Sequence, residues 1–114
     1  MSRALARAIL EDHMKAVFNG TVIAEAAQQD LIKIEGNWYF PPSSVNSEHL
    51  VASATPYNCP WKGNCQYFSV KDGDSLLQDR AWSYPTPLES AFARTGGKDF
   101  SNYVAFWKEV SVVA

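Results

Sequence analysis

The residues with the most chemical potential lie in the run Cys59-Pro60-Trp61-Lys62-Gly63-Asn64-Cys65. A lysine held over a pocket can pair with a carboxylate or phosphate, or shed its proton when desolvated and act as a base. Pro60 and Gly63 bracket Lys62 in a tight connection beside the large ring of Trp61. The plainer reading is a solvated loop lysine, since most lysines are exposed. Cys59 can serve as a nucleophile only if a nearby cation lowers its thiol pKa, and Lys62 is the candidate cation. Neither His13 nor His49 is close in sequence to act as its base. A free cysteine is more often a small buried hydrophobe, and the inert reading is favoured.

A second set of polar groups lies between Leu31 and Phe40. Read as one strand, its period-2 alternation puts Lys33, Glu35, Asn37 and Tyr39 on one side and Ile32, Ile34, Trp38 and Phe40 on the other. The polar row can line a cavity together with Lys62, Trp82, Tyr84 and Trp107, because ligand sites combine aromatic walls with a few polar groups. The wet face of an antiparallel sheet alternates in the same way, so the two readings stand level. For a catalytic site the roles are Lys62 as charge stabiliser or base, with Glu35 or Tyr39 as its proton-transfer partner. Asn37, Trp61, Trp82, Tyr84 and Trp107 are then the ligand-binding residues. A metal centre is not expected. The two cysteines are separated by five residues, and His13 and His49 are the only histidines, a poor match to a four-ligand zinc site. No cofactor is called for.

These residues need elements to position them. Asn19-Gly20 between two apolar arms predicts a type I′ hairpin, with Phe18 facing Thr21 and Ala16 facing Ile23. Pro41 and Pro42 end the strand from Leu31, and Ser43 or Ser44 can cap a short helix reaching about Leu50. Two strands flank the Cys59–Cys65 connection, the second ending at the Asp72-Gly73 turn. Arg80 to Tyr84 reads as a strand closed by Pro85 and Pro87. A helix over Leu88 to Arg94 is stopped by Gly96 and Gly97. Tyr103 to Val113 reads as the last strand. Trp38, Phe40, Phe68, Phe92 and Phe106 are assigned to the core, and Asp79 and Arg80 to a solvated pair of opposite charge. Six or seven strands with two or three short helices predict a mainly β domain of compact, curved antiparallel sheets.

Composition narrows the function classes. The chain has 114 residues, the size of one domain, and 46% of them are hydrophobic. Ten basic and twelve acidic side chains leave a dispersed net charge of -2. Duplex nucleic-acid binding draws on a basic surface that this chain lacks, so nucleic acid is not an expected partner. No apolar run approaches the ~20 residues that span a bilayer, so no membrane partner is expected. The stretch Met1 to Met14 lacks the apolar core of a secretory signal. Arg3 and Arg7 suit a transit peptide weakly, but Glu11 and Asp12 follow at once. Leu5, Ala8 and Ile9 share a helical stripe. Residues 1–13 are therefore expected to form a helical appendage on a single domain at 14–114. Two cysteines make no disulfide framework, which points to a reducing, cytoplasmic setting.

Several short motifs then occur in a fixed order: Tyr39-Phe40-Pro41, Cys59-Pro60-Trp61-Lys62-Gly63 with Tyr67 beyond it, Ala81-Trp82-Ser83-Tyr84-Pro85-Thr86-Pro87, and Val104-Ala105-Phe106. This succession resembles the domain-of-unknown-function-427 family over about Met14 to Val112. The resemblance implies a small β-tent-type domain, the architecture shared with methionine sulfoxide reductase B and the thalidomide-binding domain of cereblon. It also makes Lys62 part of a recurring motif. Trp61 stands where many relatives have Tyr, and Cys65 where relatives carry a small residue. The family bears a nucleotidyltransferase-like label, yet this chain has no Gly-rich phosphate loop and no carboxylate set for two magnesium ions. The reading that follows is a domain binding a small polar or aromatic ligand beside Trp61 and Lys62. A protein-interaction module, with a symmetric homodimer as one variant, is the alternative.

Overall fold

The structure is a computed structural model that describes residues 13–114. The helix expected over the N-terminal appendage falls on residues 1–13 and so, apart from His13, lies outside the described residues. Strand β1 (His13–Phe18) takes in His13 and turns through Asn19 and Gly20, both at positive φ, into β2 (Thr21–Ala27). Phe18 pairs with Thr21 as expected, but Ala16 pairs with Ala24. A register shift between Ala16 and Val17 accommodates one extra residue and moves Ile23 out of the expected pairing.

The expected strand from Leu31 to Phe40 is instead a tight hairpin, β3 (Ile32–Ile34) and β4 (Asn37–Tyr39), joined by Glu35 and Gly36. Both turn residues have positive φ, 52° and 83°, the geometry of a type I′ turn. Chain reversal changes which residues share a face. Ile34 now lies opposite Asn37 and Ile32 opposite Tyr39, while Lys33 lies opposite Trp38, its ammonium 5.0 Å from the indole centroid. Lys33 is thereby separated from Asn37 and Tyr39.

β5 (Leu50–Cys59), β6 (Gly63–Asp72), β7 (Ser75–Ser83) and β8 (Val104–Phe106) form an antiparallel sheet in that order. Paired backbone hydrogen bonds between Phe40 and Val104, 2.8 and 2.9 Å, dock the β3–β4 hairpin beside β8. The expected last strand is broken. β8 ends at Phe106, Lys108 adopts φ 57°, and β9 (Ser111–Val113) joins a separate sheet in the order β2-β1-β9. The molecule is thus mainly β, with nine strands among the described residues. Among the described residues the helical elements are all 3-10 turns: Gln28–Asp30, Pro42–Ser44, Ser47–His49 and Glu89–Thr95. Asn46, not Ser43 or Ser44, caps the Ser47 turn through its side chain, and Gly96 closes the last at φ 67°.

Strand alternation divides the interior into two clusters. Phe40, Ala81, Val104 and Phe106 join Met14, Phe18, Ile23 and Val70 in one, with Trp38 and Phe68 packed against it. The intervening residues Tyr39 and Ala105 face the other cluster, with Ile32, Ile34, Cys59, Tyr84 and Phe100, and Trp82 and Phe92 pack on it. Asp79 and Arg80 do not pair with each other. The Arg80 guanidinium bonds Glu109 at 2.7 Å, and Asp79 accepts from the Thr55 hydroxyl at 2.7 Å.

Candidate functional site

The second cluster opens onto a recess of about 220 Å³. Its lining includes six of the residues singled out in the sequence, namely Asn37, Tyr39, Lys62, Trp82, Tyr84 and Trp107, together with Tyr57 and Tyr67. Tyr39 and Tyr84 are 1% and 3% exposed and form the floor. Tyr57 and Trp107, 47% and 42% exposed, form the mouth. Antiparallel pairing brings these walls together: Tyr67 lies directly opposite Trp82, and Tyr57 opposite Cys65.

Lys62 reaches the recess because of the turn it occupies. Cys59 pairs with Gly63, so Pro60, Trp61 and Lys62 form the loop between β5 and β6. Gly63 has φ 110°, a conformation closed to side-chain-bearing residues, and this directs the chain back after Lys62. The Leu88 N–H donates to the Lys62 carbonyl at 2.9 Å and fixes the backbone. The result is a lysine only 6% exposed. Its ammonium lies 4.6 Å from the Trp61 ring centroid and 5.3 Å from that of Tyr84, and it donates to the Glu35 carboxylate. The carboxylate and the two ring faces all attract a cation.

Glu35 and Trp61 touch Lys62 without lining the recess. Glu35 reaches it from the β3–β4 turn, and its side chain is 57% exposed. Trp61 also meets a second cation, the Arg94 guanidinium, 4.8 Å from its ring centroid. The two residues therefore support Lys62 from outside.

The Trp82 indole N–H donates to the Tyr39 hydroxyl at 2.9 Å. Burial pushes the Tyr39 phenol up to about 12. Burial also raises Tyr84 and Tyr67 above the usual phenol value. These groups stay neutral at ordinary pH. Trp82 and Trp107 meet edge to face at 6.4 Å, and the Trp107 indole N–H is anchored to the Asp79 carbonyl at 2.9 Å.

The cysteines take no part in the lining. Both thiols are free, Cys59 being buried and Cys65 half-buried. Burial lifts the Cys65 thiol to about 11 against the opposing charge of Lys62, which leaves it a weak nucleophile. Among the described residues no three of His, Cys, Asp and Glu converge into a metal-binding group. None of the described helices is long and apolar enough to cross a membrane.

Tyr57 and Tyr67 are the lining residues that sequence reasoning missed. The signal was available in the alternation Tyr57, Cys59 across to Gly63, Cys65, Tyr67, which places all five on one face once the hairpin register is set.

No curated protein matches the chain. The model of one family matches residues 8–113, beginning before the Met14 start of the sequence resemblance. The chain therefore belongs to the family described as Domain of unknown function (DUF427).

Proposed function

We propose that this domain binds a small, flat, polar molecule in the ring-lined recess above Lys62. One observation carries the reading: an almost fully buried ammonium opens onto a hollow whose other walls are phenols, indoles and one amide. Burying a charge is costly unless it is paired. Here the chain pairs it with a carboxylate borrowed from a different hairpin, 27 residues away in sequence. A fold that needed only stability gains little from such a pair, because an apolar side chain of the same volume generally does as well. Glu35, Lys62 and Tyr39, with Asn37, Trp61, Trp82, Tyr84 and Trp107, are the residues assigned to the site. Lys62 fixes charge, Tyr39 donates a hydrogen bond, and Glu35 and Trp61 hold the ammonium in place.

An aromatic enclosure can also attract an organic cation, by about 2 kcal/mol when desolvated. A second cation about 5 Å from the Lys62 ammonium would meet about 3 kcal/mol of repulsion at an effective dielectric of about 20. Glu35 is largely in solvent and offsets only part of that. The balance therefore disfavours an ammonium ligand.

A thermal-shift panel of small ring compounds tests the proposal. Tenfold excess of a ligand over its Kd stabilises by about 1.4 kcal/mol, or about 5 °C for a domain of this size. The expected result is a rise for ring compounds that shrinks in Lys62→Ala. Equal affinity of wild type and Lys62→Ala for every compound detected would defeat the proposal.

A further inference from the structure

We infer that the ligand of this recess is a small ring-bearing anion, a compact aromatic carboxylate in chemical type, which takes Lys62 over from Glu35. The inference rests on the ligand-binding reading above and specifies the class of molecule.

Within the lining, the ammonium of Lys62 is the one full charge, and no carboxylate shares the wall with it. The remaining polar groups are four tyrosine hydroxyls, the Asn37 amide and two indole N–H groups, the latter already donating to the Tyr39 hydroxyl and the Asp79 carbonyl. Burial keeps the Tyr39 and Tyr84 phenols protonated, and a neutral phenol carries a hydrogen-bond donor. A positive point surrounded by donors is complementary to a negative group, and the ring walls favour a flat body stacked or edge-on against them.

The Glu35–Lys62 contact shows that a carboxylate oxygen fits against this ammonium. The two partners differ in their freedom to leave. The Lys62 side chain is 8% exposed and its carbonyl is held by Leu88, whereas the Glu35 side chain is 57% exposed on a two-residue turn. Glu35 can swing into water without leaving a buried charge unpaired, because the incoming anion replaces it on Lys62. The exchange swaps one carboxylate for another, and the burial of the ligand's ring is the net gain. A recess of about 220 Å³ equals the share of about seven liquid waters, which suits one six-membered ring and a short acidic group.

The test is calorimetric titration of the full chain with sodium benzoate, benzamide, benzylammonium chloride and sodium acetate, read in parallel by tryptophan fluorescence. Benzoate is expected to bind with a Kd of about 1 mM, at least about tenfold tighter than benzamide or acetate, and benzylammonium more weakly still. Lys62→Met is expected to reduce benzoate to the level of benzamide. Glu35→Gln, which removes the competing charge, is expected to tighten benzoate several-fold. Near-ultraviolet circular dichroism checks that each variant is folded, and the four-probe comparison on the wild type stands whether or not they are. Benzamide or benzylammonium binding as tightly as benzoate would overturn the anion assignment and leave the recess reading intact. Acetate matching benzoate would overturn the requirement for a ring. No heat and no fluorescence change with any ring probe would overturn both readings together.

Discussion

The Glu35–Lys62 pair makes an asymmetric prediction about stability. Removing one partner of a buried ion pair costs about 3–5 kcal/mol because the other charge is left buried and uncompensated. Only one member of this pair is buried: the Lys62 side chain is 8% exposed and that of Glu35 57%. Glu35→Ala strands the ammonium against the Trp61 and Tyr84 rings, 4.6 and 5.3 Å away. Those ring faces recover part of the loss, so the expected cost is about 2 kcal/mol. Lys62→Met frees a carboxylate that simply turns to water, while the thioether fills the lysine's channel against the same rings. Its expected cost is under about 1 kcal/mol. The Glu35 backbone, at φ 52°, strains Ala and Glu alike, so the turn does not confound the comparison. Urea denaturation at neutral pH measures both variants, and the double variant should match Lys62→Met alone. If Lys62→Met proves as costly as Glu35→Ala, or the two losses simply add, the account of this pair is wrong.

Other consequences follow from single contacts. Tyr39→Phe removes the acceptor of the Trp82 indole N–H and should cost about 1–2 kcal/mol in the same assay. A loss below about 0.3 kcal/mol would mean that the bond is not formed. Gly36→Ala should cost about 1 kcal/mol through its φ of 83° alone, since an added Cβ has no atom within 4 Å. A neutral result would argue against the tight β3–β4 turn. Alkali should unfold the domain with a definite sign. A phenol raised from 10.0 to about 12 on folding contributes stability that is complete below pH 10 and lost as pH rises through about 12. The Cys65 thiol, raised from 9.0 to about 11, adds a loss beginning near pH 9. Stability that stays level from pH 9 to 12 would show that neither group is buried as described.

Much of this arrangement was legible in the amino-acid order. Asn19-Gly20 announces its turn because both residues accept positive φ, and Pro60 with Gly63 marks the loop that carries Lys62. What escaped was written in backbone conformations that sequence marks poorly. Glu35 is not a residue expected to open a type I′ turn, and the apolar alternation runs through Glu35-Gly36 almost unbroken. A polar row of Lys33, Glu35, Asn37 and Tyr39 therefore looked continuous. The reversal sends Lys33 to Trp38, leaves Asn37 and Tyr39 in the recess, and gives Glu35 to Lys62. Lys108 and Asp79, at φ 57° and 56°, likewise bend the chain without a glycine. The first splits Tyr103–Val113 between two sheets, and the second turns Asp79 toward Thr55 and away from Arg80. Tyr57 and Tyr67 escaped for another reason: their shared face depends on the register of a ten-residue hairpin arm, which no single residue fixes.

The ligand-binding claim is tested most directly by the indole N–H resonances of the chain's four tryptophans during a titration with benzoate. Trp82 and Trp107 line the recess, while Trp38 packs on the opposite cluster and serves as an internal control. Saturable shifts of Trp82 and Trp107 with Trp38 unmoved are the predicted result. Equal drift of all four signals, or no movement of Trp82 and Trp107, would contradict the account.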